Sequence, residues 1–589
     1  MKTGFLITGR LKSTRLPLKL LREVEGKPIF SHMIDRLKLA RQVDQIIVCT
    51  STNRQDDPLE EIAACKNVFC FRGDEDDVVK RNADACLQFG LDYALSITAD
   101  CPFSDPVYAD KIVDAYLETG ADFIRALDLP HGAYSYGVNP QALLKIMEIK
   151  DQTDSETWGR YFTDTDLFEV YDLPIPPSHR LPELRMTLDY PEDLEFFKAV
   201  FAALYKPGQV FTLDEILGFL EAHPEVVAIN RDREADYLKR WTKQSFIKLK
   251  PRYTINRATI IGSGSMGLRH TQSLRSLGVT DIVALRSGDH PKESLPVELG
   301  VRETFSWQGV IQSNPDVAII SNPTSLHVRT AMDLLSHVKG IFIEKPLGTN
   351  SDRISELLEQ IRSKRVVSFV GHNLQFHPAI KVVQDILQSD EIGEPLVFQV
   401  QVGQWIGDWH PGEDYTASYV ASKELGGGVS LTLSHEIHLA TQLFGPVEEV
   451  FCRLPESKKL KFDVDVISDL MCHHINGATS QIHLDMLQRP AHRIGVISCE
   501  RGWISYDLIG KTVVMQSHKQ ATPVEVWNGA DYDISQSYGD EMKSFLDVVR
   551  EGRIRHENDA WAGARTLAVI GAAFQSAKSH CVSKVTTIA

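Results

Sequence analysis

No Cys-x-x-Cys pair occurs anywhere in this 589-residue chain, and its 9 cysteines are odd in number and scattered. That argues against a disulfide framework or a zinc finger and fits a reducing cytoplasm. Cys472 and His473 stand together without a second ligand pair, so they make no metal site. Positive charge is also short: 63 Lys and Arg against 79 Asp and Glu leave a formal charge of −16. A chain this acidic lacks the basic footprint that nucleic acid or an anionic membrane surface requires. No apolar run approaches the ~20 residues that span a bilayer. The opening MKTGFLITGRLKSTRLP has too short an apolar core, with too many cations behind it, for a secretory signal. With 43% hydrophobic and 24% charged residues the composition is ordinary for a globular protein, long enough for roughly four units of about 150 residues.

What is present are two openings of an α/β domain. One is a strand from Gly4 to Ile7, a loop and a helix from Pro28 to Ala40. The other is a strand from Ala258 to Ile261, a glycine-rich turn and a helix from Met266 to Leu277. Each is followed by alternating strands and helices, the pattern of a parallel sheet with crossover helices. The two halves share no motif, so the chain is a fusion of different modules rather than a repeat. Between them Asn230 to Asn256 is rich in Lys and Arg, with Trp241 and Phe246 as anchors, and reads as a loosely packed connector. Beyond about residue 372, segments such as Pro395–Gln404, Val447–Leu454 and Ser480–Met486 read as antiparallel strands, closed by a helix from about Asn558 to Ser579. The expected boundaries are 1–230, a linker 231–256, then 257–371 and 372–589.

The loop after the first strand, Gly9 to Lys19, places Arg10, Lys12, Arg15 and Lys19 among the hydroxyls of Ser13 and Thr14. Cations and backbone N–H groups on a strand-to-helix loop suit a triphosphate, which carries roughly four negative charges. STRLP-x-K followed by Gly26-Lys27-Pro28 resembles the nucleotidyltransferases that make CMP-activated sugar acids, the Kdo and acylneuraminate cytidylyltransferases. The SpsF-like branch is the most similar. TSTNRQDDPLEE (50–61), FRGDEDDV (71–78), ITADCPFSDP (97–106) and MTLDYPEDLE (186–195) carry the resemblance over residues 1 to about 230. It implies CTP as substrate, Arg15 and Lys19 as catalytic cations, and Gly9, Arg10 and Ser13 around the phosphates. Arg72 and Gly73 would approach the base or ribose, and Asp100 and Asp189 would hold Mg²⁺ against the departing pyrophosphate. Read without the resemblance, Asp189 has a second, less favoured reading as the N-cap of a helix over Pro191 to Phe197. Leu18 and Ala99 stand where the family has Gly. The segment Ser155–Phe162 keeps Glu156 but loses the usual His-Val-Thr, which leaves the acceptor open.

In the second half Gly262-x-Gly264-x-x-Gly267, with Ser265 and Met266 inside it, follows a strand and opens a helix. That context makes it a dinucleotide fingerprint. The residue about 20 positions on, at the end of the second strand, is Arg286, followed by Ser287. A cation and a hydroxyl suit a 2′-phosphate, so NADP is favoured over NAD. With SNPTSLHV (321–328), which contains Asn322, and Glu344-Lys345-Pro346, the fingerprint resembles the Gfo/Idh/MocA sugar oxidoreductases over about 256–589. The resemblance implies that Lys345 acts on the substrate hydroxyl beside the nicotinamide, with Glu344 at the cofactor and His435 as proton acceptor. Thr432 stands near the family's first Asp and His438 replaces its later one. A zinc site from His435, His438 and Glu436 is disfavoured because Glu436 lies off the face the two histidines share.

The fold class expected is thus multidomain α/β: a nucleotidyltransferase domain, a Rossmann domain, and an α+β domain with a large, mostly antiparallel sheet. The expected function is a bifunctional cytoplasmic enzyme of surface-glycan polysaccharide biosynthesis. It would transfer CMP from CTP to a sugar acid with Mg²⁺, and oxidise or reduce a sugar intermediate with NADP or NAD. The alternatives are a CDP-forming enzyme acting on a sugar phosphate or polyol phosphate, and a C-terminal module that only binds or assembles. A homo-oligomer, dimer or tetramer through the C-terminal sheet, is expected, with no nucleic-acid or membrane partner.

Overall fold

The computed structural model describes residues 1–13, 15–153, 158–165, 167–234, 237, 247–286, 299–389, 391–409, 412, 414–456 and 462–586. The chain forms two compact units, Met1–Lys250 and Pro251–Ala589. Thr14, Glu156, Trp241, Phe246 and Ser287 lie outside the described residues.

The first unit is built on a seven-stranded sheet. Phe69–Gly73, Gln45–Ser51, Thr3–Thr8 and Tyr93–Thr98 lie side by side in parallel, followed by Tyr136–Val138, Phe123–Arg125 and Val170–Asp172. Tyr136–Val138 runs against both of its neighbours. All six residues of Thr3–Thr8 are buried, which is why this strand reads as an unbroken run rather than an alternating one. Ile29–Leu37, Asp57–Cys65, Val78–Phe89 and Pro106–Thr119 are the main covering helices. The carboxyl ends of the parallel strands bring Gly9, Ser51, Gly73 and Asp100 to one edge, where ligands collect in open α/β sheets.

The segment read as a loose connector begins inside this unit. Asn230 is buried and donates to Asp193 at 2.9 Å. Glu234 accepts from Arg185 at 3.0 Å, and Ile247 and Leu249 enter the apolar core beside Val79 and Phe162. The fully buried Arg185 guanidinium needs those partners, and that draws the segment in.

The second unit opens with a six-stranded parallel sheet ordered Arg302–Thr304, Asp281–Leu285, Arg257–Ile261, Val317–Ile320, Gly340–Glu344, Val367–Gly371. In chain order this is 3-2-1-4-5-6, the doubly wound dinucleotide arrangement. A nine-stranded sheet follows, its neighbours antiparallel with one correction to the expectation: Pro395–Gly403 runs parallel to Thr479–Asp485. The first strand enters the sheet's middle from the other domain half rather than through a hairpin, so its direction is free of the hairpin constraint. The chain then returns to the parallel sheet. Helix Ser535–Glu551 packs Val549 onto Gly340, and helix Ala560–Ser579 packs Gly563 onto Val370. One apolar core therefore runs through both sheets.

Candidate active sites

At the edge of the first sheet the Lys19 ammonium donates to Asp100 at 2.6 Å and to Asp189 at 3.0 Å. Arg15 donates to the same Asp189 oxygen at 2.8 Å, and Arg185 reaches its other oxygen at 3.2 Å. Sequence positions 15, 19, 100 and 189 are thus one cluster. The backbone fixes it: Leu188 N donates to the Asp100 carbonyl at 2.8 Å, and Ala99 N to the Thr8 carbonyl at 2.8 Å. A Cβ on Gly9 would stand 2.8 Å from the Ala99 Cβ, so the loop needs glycine there to pass so close to the Asp100 turn. Burial works against charge at both groups, and the opposite charges win. The Lys19 pKa is raised by Asp100 and Asp189. The Asp189 pKa is held well below the usual carboxylate range by Lys19, Arg15 and Arg185.

Asp189 is not the helix cap. Tyr190 is, and the Asp193 side chain reaches back to accept from the N–H groups of Asp189 and Tyr190 at 2.8 and 2.9 Å. Asp189 is left facing the cations, as a metal or phosphate site requires. Two hard carboxylate oxygens that already converge on one cation are a fitting donor set for Mg²⁺, which takes its remaining ligands from phosphate and water. Other expected nucleotide ligands are placed differently. Arg10 donates to the Glu75 carbonyl at 2.7 Å and meets Asp76 at 3.1 Å. Ser13 accepts from Leu16 N at 3.4 Å, turning the loop. Arg72 donates to Asp57, Glu60 and the carbonyls of Ser51 and Asn53, bracing its strand end, while Gly73 packs on Phe71.

In the second unit the fingerprint has the backbone that a dinucleotide demands. Gly262 has φ +99°, and a Cβ there would lie 2.7 Å from the Ser321 carbonyl and Asn322 N. A Cβ on Gly267 would lie 2.0 Å from the Gly262 carbonyl. Gly264 faces open space at the start of helix Ser265–Ser276, whose first N–H groups have no side-chain cap. They border a cavity of about 2430 Å³ that Ser265, Met266, Arg286, Asn322, Glu344, Lys345 and His435 also line. These residues fit a dinucleotide with its pyrophosphate on the helix N-terminus. Arg286 donates to Glu303 at 2.9 Å across adjacent strands, so its charge is already shared.

Lys345 donates to the Thr432 carbonyl at 2.6 Å, and Glu344 meets His270 at 2.6 Å. Thr432 meets Lys345 through its backbone carbonyl alone. Burial, opposed by Glu344, lowers the Lys345 pKa from the ordinary ammonium value. Burial and then the Lys345 and Arg493 cations push the His435 pKa well below its usual value, so this imidazole stays neutral. Its Nδ1 is buried without a hydrogen-bond partner among the described residues. His438 shares the helix His435–Phe444 but stands behind the cavity wall. Its ring stacks on His372 at 3.8 Å, its Nδ1 meets Thr566 at 2.9 Å, and Gln375 meets its Nε2. Glu436 is taken by Arg493 through two bonds at 2.7 and 3.1 Å. Among the described residues no group of three or more His, Cys, Asp or Glu could hold a metal, and no helix is long and apolar enough to cross a membrane.

Residues 5–200 match the family model described as cytidylyltransferase. Residues 256–372 match that of the oxidoreductase family with an NAD-binding Rossmann fold, and 380–505 the GFO/IDH/MocA C-terminal domain. The chain joins a cytidylyltransferase domain to a Gfo/Idh/MocA oxidoreductase. The spore coat polysaccharide biosynthesis protein SpsF of Bacillus subtilis is 28% identical over 239 residues, 39% of this chain and 98% of that one. The 8-amino-3,8-dideoxy-manno-octulosonate cytidylyltransferase of Shewanella amazonensis is 28% identical over 167 residues, 28% of this chain and 65% of that one. For the oxidoreductase, the myo-inositol 2-dehydrogenase of Thermotoga maritima is 24% identical over 315 residues, 50% of this chain and 89% of that one. A levoglucosan dehydrogenase solved with NADH and levoglucosan shares the fold, with TM-score 0.51, 19% identity, and coverage of 56% of this chain and 99% of that one.

Three working parts escaped the sequence reading. In the cytidylyltransferase domain, Arg185 and Asp193 form the buried frame behind Asp189. The only signal was an Arg one place ahead of an apolar stretch. In the oxidoreductase, Arg493 lines the cavity from the large sheet, held by Glu436 of helix His435–Phe444, and Glu541 enters it from a late helix. Neither carries a local motif.

Proposed function

We propose that the first domain transfers CMP from CTP to a sugar acid in an Mg²⁺-dependent reaction, and that the second oxidises or reduces a sugar intermediate of the same cytoplasmic route with NAD(P). The observation that carries this is Lys19, Arg15, Asp100 and Asp189 drawn into one cluster at the strand edge. An acceptor hydroxyl attacks the α-phosphorus, and the bond to the β-phosphate oxygen breaks to release pyrophosphate. Lys19 and Arg15 neutralise the triphosphate and orient it for in-line attack. Asp100 and Asp189 would hold Mg²⁺, whose chemistry is to offset charge on the leaving pyrophosphate. The sugar-acid acceptor follows the octulosonate named for the Shewanella relative.

In the oxidoreductase the glycine turn and the first N–H groups of helix Ser265–Ser276 would hold the dinucleotide, which supplies a hydride acceptor or donor when bound. Arg286 would face the adenosine ribose and pair with a 2′-phosphate. Lys345 orients the substrate hydroxyl by hydrogen bonding, and neutral His435 accepts its proton through a ring nitrogen. These groups on the cavity wall support a working enzyme over a binding-only module. Self-assembly through the large sheet, which exposes Leu396, Met471 and Ile494, belongs to the same reading. The test is to supply CTP and Mg²⁺ with a panel of sugar acids and sugar phosphates and weigh the products. A CMP-linked sugar acid plus pyrophosphate is expected; a CDP-linked product from a phosphate acceptor would overturn the acceptor assignment.

A further inference from the structure

Glu541 sits on helix Ser535–Glu551, which turns its Met542, Phe545 and Leu546 into the core. The residue is 1% exposed, yet it lines the large cavity, and its Oε1 makes no hydrogen bond among the described residues. A carboxyl group so placed is costly unless something supplies its partner. Glu344 and Lys345 are the ionisable groups whose charges it feels, and Tyr538 feels its charge in turn. Glu344, the last residue of strand Gly340–Glu344, and Lys345 line the same cavity, so Glu541 faces the carboxyl end of that strand, where ligands collect in this architecture. The helix is docked there by Asn373, another residue of the cavity wall, which donates to Ser537 at 3.0 Å.

We propose that Glu541 recognises the carboxamide of the bound nicotinamide, pairing with its amide nitrogen and its carbonyl oxygen. This rests on the dinucleotide reading of the cavity. A carboxylate can only accept, whereas a neutral carboxylic acid both donates and accepts, as a carboxamide does. Burial, then the nearby Glu344 carboxylate, raises the Glu541 pKa well above the ordinary value, which supplies the neutral form. Glutamine in its place would keep both functions; leucine would keep only bulk.

The test is calorimetric titration of the full chain with NAD⁺ and with ADP-ribose, which has the same phosphates and riboses but no nicotinamide. Glu541→Leu should weaken NAD⁺ about tenfold, the scale of one or two net hydrogen bonds, and leave ADP-ribose unchanged. Glu541→Gln should bind both within about threefold of the native chain, on the same scale. Equal losses for the two ligands, no loss for either, or a Gln variant as weak as the Leu variant would overturn the assignment. The native chain offers a second check that needs no variant. The acetylpyridine analogue of NAD⁺, which lacks the amide nitrogen, should bind several-fold more weakly than NAD⁺, and equal affinity would contradict the proposal. Failure of the native chain to bind either NAD⁺ or ADP-ribose would instead strike the dinucleotide reading, and this inference with it.

Discussion

The Lys19 ammonium lies 2.6 Å from the Asp100 carboxylate, although 81 residues separate them in the chain. One comes from a basic loop and the other from the end of a neighbouring strand, and the parallel pairing of Thr3–Thr8 with Tyr93–Thr98 makes them meet. Asp100→Asn removes one of the two charges that would hold Mg²⁺. It should abolish pyrophosphate release from CTP and acceptor while NAD⁺ affinity of the other domain is unchanged. Near-normal release would contradict the metal assignment.

Asp189 is a structural anchor as well as a ligand, because Lys19, Arg15 and Arg185 all converge on it. Asp189→Asn removes the charge on which the three cations converge, while Lys19 keeps Asp100 and Arg185 keeps Asp193 and Glu234, so it should cost about 1–3 kcal/mol of stability in the first domain, read by chemical denaturation. The sign with pH follows from its depressed pKa. The contribution is present above the unfolded value of 3.8 and lost as pH falls below it toward the folded value. The gap between native chain and variant should therefore narrow in acid; a gap that widens there would contradict the pairing.

Much of this was legible in the sequence because it is local. Gly262, Gly264 and Gly267 announce a turn whose close contacts the structure shows atom by atom, and Asp100 follows an apolar strand where a carboxylate has little other reason to sit. What the sequence hid is long-range. Arg185 and Asp193 are held by Glu234 and Asn230, 49 and 37 positions away, Glu541 reaches the cavity from a late helix, and the parallel run of Pro395–Gly403 beside Thr479–Asp485 has the same alternation as an antiparallel one. The ion pair of Arg286 with Glu303 was hidden for the same reason.

That pair bears on cofactor choice. Arg286→Ala should weaken NADP⁺ by one to two decades, the worth of a charge-assisted bond of about 1.5–3 kcal/mol, and spare NAD⁺. Glu303→Gln should do the reverse, releasing the guanidinium and strengthening NADP⁺ alone. Parallel changes for both cofactors in either variant would misplace the ribose site.

In the oxidoreductase, Lys345→Met and His435→Asn should each slow hydride transfer by about 10²–10⁴-fold with little change in NAD⁺ affinity. The lowered pKa of His435 means it is already neutral below its usual 6.5. The oxidative rate should therefore be level through neutral pH as far as this group is concerned, and fall only in more acid solution, where His435 gains a proton. A steep rise between pH 6 and 7 that disappears in His435→Asn would contradict its environment.

His438 packs behind the wall against His372 and Thr566. His438→Ala should lower the melting temperature of the second unit while cofactor affinity is retained; a rate loss at full stability would instead give it a relay role.

The central claim is that one chain carries two independent chemistries, and the most direct measurement takes both from the same sample. Native chain, Asp100→Asn and Lys345→Met are each given CTP, Mg²⁺, an array of sugar acids and their alcohol precursors, and NAD(P)⁺, with pyrophosphate and NAD(P)H followed together. The account predicts both signals from the native chain, loss of pyrophosphate alone in Asp100→Asn, and loss of NAD(P)H alone in Lys345→Met. Both signals falling together in either variant, or pyrophosphate surviving in Asp100→Asn, would contradict it.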